Sequence, residues 1–171
     1  MMCIIRSEQS HDLPSIREVN RRAFGQEQEA SIVDNLRENC NDILSLVALA
    51  KHKVVGHILF SPAVIEGENG SIVGSGLAPL AVLPEYQRQG IGSELVETGI
   101  ARIEENGVPY IIVLGHPEYY VRFGFEPASR FGIRSEWEVP DEAFMILILN
   151  KAAMKGISGV AKYRQEWAEA I

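Results

Sequence analysis

Residues 80–93 read Leu80-Ala81-Val82-Leu83-Pro84-Glu85-Tyr86-Gln87-Arg88-Gln89-Gly90-Ile91-Gly92-Ser93. The stretch opens as an apolar strand, passes through Pro84, bends over Gln87–Gly92 and runs into an amphipathic helix. A strand that empties through a glycine-bearing turn into a helix leaves backbone N–H groups without intrahelical partners at the positive end of the helix dipole. Such an end is an anion site, most often for a phosphate. Gly90 and Gly92 place no side chain between an anion and the backbone.

Working outward, Ile91, Leu95, Val96, Ile100 and Ile103 share one half of the helical wheel, and Ser93, Glu94, Glu97, Glu104 and Glu105 the other. Asn106-Gly107 stops the helix, and Tyr110–Leu114 follows as a wholly apolar strand of the kind buried on both faces. Strand, helix and strand make a crossover, so the strand ending at Leu83 and Tyr110–Leu114 are expected to be parallel neighbours. Upstream, Leu44–Ala50 and Val54–Val64 flank Lys51-His52-Lys53 as a hairpin. Past the turn cluster Glu66–Gly70, Ser71–Leu83 extends it to an antiparallel meander. The chain starts with a short strand at Cys3–Arg6. A helix follows from Asp12 and Pro14 to Gly25, then a second over Glu29–Glu38. After Gly115-His116-Pro117 come a short helix at Glu118–Arg122, a loop over 126–140, a strand at Ala143–Leu149 and a mixed tail from Lys151 with a helix-compatible Arg164–Ala170. The expected class is α/β of the α+β kind: a mixed, mostly antiparallel sheet of about seven strands with about four helices. One domain is expected over 1–171, with a core over 4–150 and a tail over 151–171.

The 171 residues, 46% apolar, suffice for a sizeable core, and the net charge of −7 is scattered. An acidic chain lacks the basic footprint of a nucleic-acid binder; it suits either plain solubility or attraction of cationic amines. Cys3 and Cys40 have neither CxxC nor metal-ligand spacing, so neither a disulfide framework nor a metal is expected. The longest apolar runs, such as Ala143–Leu149, fall far short of a membrane span, and no secretory pattern opens the chain; a cytoplasmic location is expected.

Three phosphate cradles compete for the Gly90 turn. A Walker loop needs a Gly-Lys-Ser/Thr ending, which is absent. A Rossmann fingerprint belongs in repeated βαβ units, whereas an antiparallel meander precedes this turn. The third, Gln/Arg-x-x-Gly-x-Gly/Ala, is met by Gln87-Arg88-Gln89-Gly90-Ile91-Gly92, although those residues alone fit an ordinary strand-to-helix turn equally well. A second segment adds context: Tyr119-Tyr120-Val121-Arg122-Phe123-Gly124-Phe125, after the next strand. With both motifs in this order of elements, the chain from Ile4 to Leu149 resembles the GNAT superfamily of acyl-CoA-dependent N-acetyltransferases. The wording Leu-Gly-His-Pro-Glu-Tyr-Tyr with Phe-Gly-Phe resembles its YhbS-like branch.

The resemblance implies acetyl-CoA as acyl donor and a primary amine as acceptor, and it implies that the two parallel strands splay apart. The pantetheine arm would then lie against the backbone of Leu80, Ala81 and Val82, where one N–H polarises the thioester carbonyl and holds the oxyanion. The pyrophosphate would sit on Gln87, Arg88, Gln89, Gly90, Ile91, Gly92 and Ser93, and Tyr120 would be the general acid for the leaving thiolate. Tyr119 is read as a packing residue. The family's glutamate on the strand before the turn is missing, since Ser71–Leu83 holds no acid; Glu27, Glu29, His116 and a water relay stay open as the base. His116 stands where many relatives carry Asn-x-x-Ala. Phe131–Asp141 is expected to border the acceptor site, with Trp137 packing there, and a homodimer is compatible with the family. A non-catalytic acyl-CoA-binding module of the same fold is the alternative.

Overall fold

The computed structural model describes residues 3–170. Strands β1 (Ile4–Ser7), β2 (Leu44–Ala50), β3 (Lys53–Gly67) and β4 (Gly70–Val82) form a continuous antiparallel ladder, with Ile4 opposite Leu49, Leu46 opposite Ile58 and Gly56 opposite Val82. The β2–β3 connection is two residues long, and Lys51 and His52 both take positive φ, the mirror-image turn whose twist matches the strands it joins. Between β1 and β2 lie helices α1 (Leu13–Phe24) and α2 (Gln28–Asn39). Pro14 sits in the first turn of α1 as expected, but the Asp12 carboxylate does not cap that helix. It accepts from the Gln9 N–H at 2.7 Å and pairs with Arg6 instead.

Helix α3 (Ile91–Glu105) and strand β5 (Tyr110–Leu114) complete the crossover. Period-two alternation along β3 assigns the sheet's faces. A Cβ on Gly56 would meet Leu95 and Ile91 of α3, whereas the next residue, His57, bonds Asn20 of α1. The two helical layers therefore cover opposite faces of the sheet, burying Ile16, Val19, Ile32, Val33 and Leu36 on one side and Ile91, Leu95, Val96 and Ile103 on the other.

The sheet continues through β8 (Phe144–Ile148) to β6 (Glu126–Pro127), after the short helix α4 (Pro117–Tyr120). The sheet has nine strands among the described residues, against about seven expected, and three of the nine match no segment read as a strand. The additional ones are short pieces without a periodic pattern of their own: β6 and β7 (Ile133–Ser135) in the segment read as loop, and β9 (Gly159–Lys162) after helix α5 (Lys151–Met154). Strand β9 pairs with β3 at Val64–Glu66, past the point where β2 ends, and with β7 on its other side. This pairing ties the tail into the sheet. A final 3-10 turn, Gln165–Ala170, buries Trp167 and is held by a hydrogen bond from the Gln28 amide of α2 to the Glu169 carbonyl.

The feature that shapes the site is a fork. Strands β4 and β5 pair in parallel through Ser75–Leu77 and Ile111–Val113, and there the pairing stops. Opposite Leu59, β4 carries both Ala78 and Pro79, a bulge that bends it away, while β4 itself runs on to Val82. Pro79 has no N–H to donate. The expected parallel, splayed pair is thus present, with its opening directed toward the start of α3.

Candidate active site

A cleft of about 830 Å³ opens at the fork. Its floor includes Leu80 and Val82 of β4, whose side chains alternate with that of Ala81, buried in the core and absent from the lining. The end toward α3 is formed by Gln87, Arg88, Gly90, Ile91, Gly92 and Ser93; Gln89 points away and contacts the Glu85 carbonyl. Gln87 braces the turn by donating from Nε2 to the Val82 carbonyl at 3.0 Å.

Two consecutive features set the geometry of this turn. Arg88 and Gly90 take φ of 62° and 86°, a left-handed conformation that Gly90 adopts without penalty. Gly90 then starts α3 with no side-chain cap, so the first-turn N–H groups keep no protein partner from a capping side chain. At Gly92 a methyl group would stand 2.9 Å from the Tyr119 hydroxyl, which closes the cradle from the other side. Arg122 adds a second cation beside Arg88: its guanidinium bonds Ser93 Oγ at 2.9 Å and lies 4.7 Å from the Tyr119 ring centroid. In a chain of net charge −7, this end of the cleft concentrates positive charge.

Tyr120 enters the cleft from α4. Its ring packs edge-on against Tyr119 at 5.0 Å and Phe125 at 5.7 Å, and burial, with Tyr119 adding to it, raises its pKa well above the ordinary phenol range. The phenol is therefore protonated throughout neutral pH. Tyr119 packs as expected and also lines the cleft, a role that a packing assignment alone had not given it.

At the opposite end the cleft reaches α1 and α2 through Phe24 and Glu29. Of the three side chains considered as bases, Glu29 and His116 line the cleft and Glu27 does not. The Glu27 carboxylate is paired with Arg17 at 3.2 Å, while that of Glu29 accepts from the Gln26 amide at 3.0 and 3.1 Å. His116 is exposed, and its carbonyl accepts from the N–H groups of Tyr119 and Tyr120 at the start of α4.

Two aromatic residues of the tail, both unassigned by sequence reasoning, shape the fork. Tyr163 is buried at its root and donates to the carbonyls of Leu77 on β4 and Ile112 on β5, at 2.9 and 3.3 Å. Trp167 lines the cleft, and its indole N–H is buried with no partner among the described residues. Trp137 stacks on Tyr163 at 5.7 Å, but no residue of the segment Phe131–Asp141, expected to border the acceptor site, lines this cleft. No motif or periodic spacing in the tail marked Tyr163 or Trp167. No group of side chains suited to a metal ion occurs among the described residues. Nor is any of their helices long and apolar enough to cross a membrane.

Comparison with known proteins follows the same lines. Residues 4–128 match the family model described as an acetyltransferase (GNAT) domain. The chain is 46% identical to the uncharacterized N-acetyltransferase YjhQ of Escherichia coli K12 over 134 residues, covering 77% of this chain and 74% of that protein. It is 36% identical to the uncharacterized N-acetyltransferase YhbS of the same organism over 165 residues, 96% of this chain and 98% of the relative. Among solved structures, the Escherichia coli YhbS complex with CoA superposes with a TM-score of 0.90 at 35% identity, covering 97% of this chain and 92% of that one. A GNAT acetyltransferase of Brucella melitensis in complex with acetyl-CoA gives 0.80 at 32% identity, with 97% and 98% covered. The forked sheet, the uncapped helix after Gly90 and these matches together place the chain in the GNAT acetyltransferase family.

Proposed function

We propose that this protein transfers the acetyl group of acetyl-CoA to a primary amine in a ternary complex. The observation that carries the reading is the continuity of one cleft from the uncapped, cation-flanked start of α3, along the unpaired part of β4, to a buried and protonated Tyr120. The complexes of the YhbS and Brucella relatives with CoA and acetyl-CoA support the choice of donor.

In this reading the backbone N–H groups of Arg88–Ser93 hold the pyrophosphate, and Arg88 and Arg122 balance its charge. The backbone of Leu80–Val82 aligns the pantetheine arm as a pseudo-strand would be aligned. One donor there, aimed at the thioester oxygen, contributes about 2.7–4 kcal/mol to the transition state. The thioester supplies an acyl carbon open to attack by an oriented amine, and orientation supplies much of the rate. The C–N bond forms first to give a tetrahedral oxyanion, its collapse breaks the C–S bond, and the proton lost by nitrogen ends on sulfur. Tyr120 donates to the departing thiolate. Its raised pKa lies above that of a thiol (about 8.5), so donation alone is uphill and is completed when the phenolate takes up the proton that the amine has released. Glu29 and His116 are the cleft-lining side chains able to take the proton from the amine, and Glu29 also gives this end of the cleft the charge to attract one.

A thiol-release assay with acetyl-CoA and a panel of primary amines tests the proposal. Amine-dependent release is expected. Tyr120→Phe is expected to lower kcat about 100-fold while leaving the CoA dissociation constant within about twofold. Tight acetyl-CoA binding with no amine-dependent release across the panel would instead establish a non-catalytic acyl-CoA-binding module.

A further inference from the structure

We propose that the donor site accepts acyl groups longer than acetyl, housed in an apolar side pocket that opens from the fork; the inference rests on the donor reading above. The pairing of β4 and β5 ends at Leu77 and Val113. The next residue on each strand, Ala78 and Leu114, borders both the main cleft and a second cavity of about 130 Å³, as does Trp167. Trp137, Tyr163 and Ala170 complete that second cavity. The pocket therefore begins where a donor arm laid along β4 would deliver its acyl group.

The walls decide what fits. They are two methyl groups, an isobutyl group, two indoles and a phenol whose hydroxyl is already spent on the Leu77 and Ile112 carbonyls. No charged side chain lines the pocket among the described residues, and its polar side-chain groups besides the Tyr163 hydroxyl are two indole N–H groups, of which that of Trp167 is buried. Three aromatic faces can attract a cation, but no carboxylate lines the pocket among the described residues to pair an ammonium, whereas methylenes gain simply by leaving water. The carboxylate suited to an amine, Glu29, borders the main cleft and not this pocket. The occupant is accordingly the acyl tail and not the acceptor. As to size, an apolar cavity of about 150 Å³ is enough to take up benzene, so this one has room for roughly four carbons beyond the acetyl methyl. Ala78 at the mouth leaves the way in open. The reaction balances as for acetyl: the thioester C–S bond breaks, the amide C–N bond forms and the amine proton goes to sulfur.

The test is calorimetric binding of CoA, acetyl-CoA, butyryl-CoA, hexanoyl-CoA and decanoyl-CoA to the intact chain, with no amine present. Affinity is expected to rise about fourfold per added methylene up to butyryl or hexanoyl and to fall for decanoyl. Ala78→Leu, which closes the mouth, is expected to flatten the series. Trp137→Ala, which enlarges the pocket from its far wall, is expected to move the optimum to a longer chain, and it serves if the β4 variant does not fold. Equal or falling affinity from acetyl to butyryl would overturn the pocket while leaving the donor site standing. So would a rise that neither substitution alters, since that marks non-specific adsorption. If CoA itself does not bind, the donor reading fails and the pocket fails with it.

Discussion

At the scale of single residues, the fork depends on a side chain that arrives late in the chain. Tyr163 reaches from beyond β9 to the root of the fork, where its hydroxyl meets one carbonyl from each diverging strand. Burial raises the pKa of this phenol, so it donates at any pH at which the protein is folded. Tyr163→Phe leaves the ring in place but strips Leu77 O and Ile112 O of a donor in a site closed to water. A loss of about 1–3 kcal/mol in unfolding free energy is expected by urea titration. If the hydroxyl does no more than fill space, the midpoint will not move. The sequence carried no hint of this contact: a tyrosine in an aperiodic tail has no spacing rule that ties it to a strand far earlier in the chain. Tyr120 was accessible because it stands four residues before Gly124 in a motif whose order of elements was already visible, whereas Ala81 and Gln89, equally part of their motifs, have side chains outside the cleft.

At the scale of elements, long periodic segments were legible and short irregular ones were not. Helix α3, strand β5 and strand β2 lie where apolar periodicity and flanking turn residues place them, because each buries a regular face against a neighbour. Strands β6, β7 and β9 are two to four residues long and owe their existence to partners supplied by the tertiary fold. The turn into α3 shows how two glycines in one motif do different work. Gly90 needs its left-handed φ of 86° and has open space around it. At Gly92 no positive φ is required, but a methyl group would face the Tyr119 hydroxyl. Gly90→Ala is therefore expected to cost about 1–2 kcal/mol in stability. Gly92→Ala is expected to leave the melting temperature nearly unchanged, since a tyrosine tip can give way, but to weaken CoA binding about tenfold by filling the cradle. Thermal unfolding with and without CoA separates the two. Equal loss of stability in both variants would mean that the turn has no such division of labour.

At the scale of the whole molecule, the α1–α2 layer is joined to the sheet by a buried polar chain. Arg37 of α2 pairs with Glu8 at 2.8 Å, Ser45 of β2 donates to Glu8 and bonds His57 Nε2 at 2.8 Å, and His57 Nδ1 meets the Asn20 amide of α1 at 3.0 Å. That amide also donates to the Ile16 carbonyl, so Nδ1 accepts and the imidazole is neutral, with its proton on Nε2. Full burial lowers the His57 pKa to about 4, with the Arg37 charge adding to the effect against the opposing pull of Glu8. Burial works against ionisation of Glu8 itself, yet Arg37 and Ser45 together hold its carboxyl below the usual range. The sign follows from proton counts. Between pH 6.5 and 4 the unfolded chain takes up a proton at residue 57 that the folded protein refuses, so stability falls as the medium is acidified. The slope approaches about 1.4 kcal/mol per pH unit and accumulates to about 3 kcal/mol. Glu8 adds a further loss only below its ordinary range, when its ion pair is protonated away. Urea unfolding at pH 7.5, 6, 5 and 4 measures the slope, and His57→Gln is expected to flatten it through the upper part of this window whatever its own baseline stability. Nitrogen NMR of the folded protein gives an independent check. An imidazole at residue 57 that is already protonated at pH 5.5 would remove the buried chain as the source of acid sensitivity.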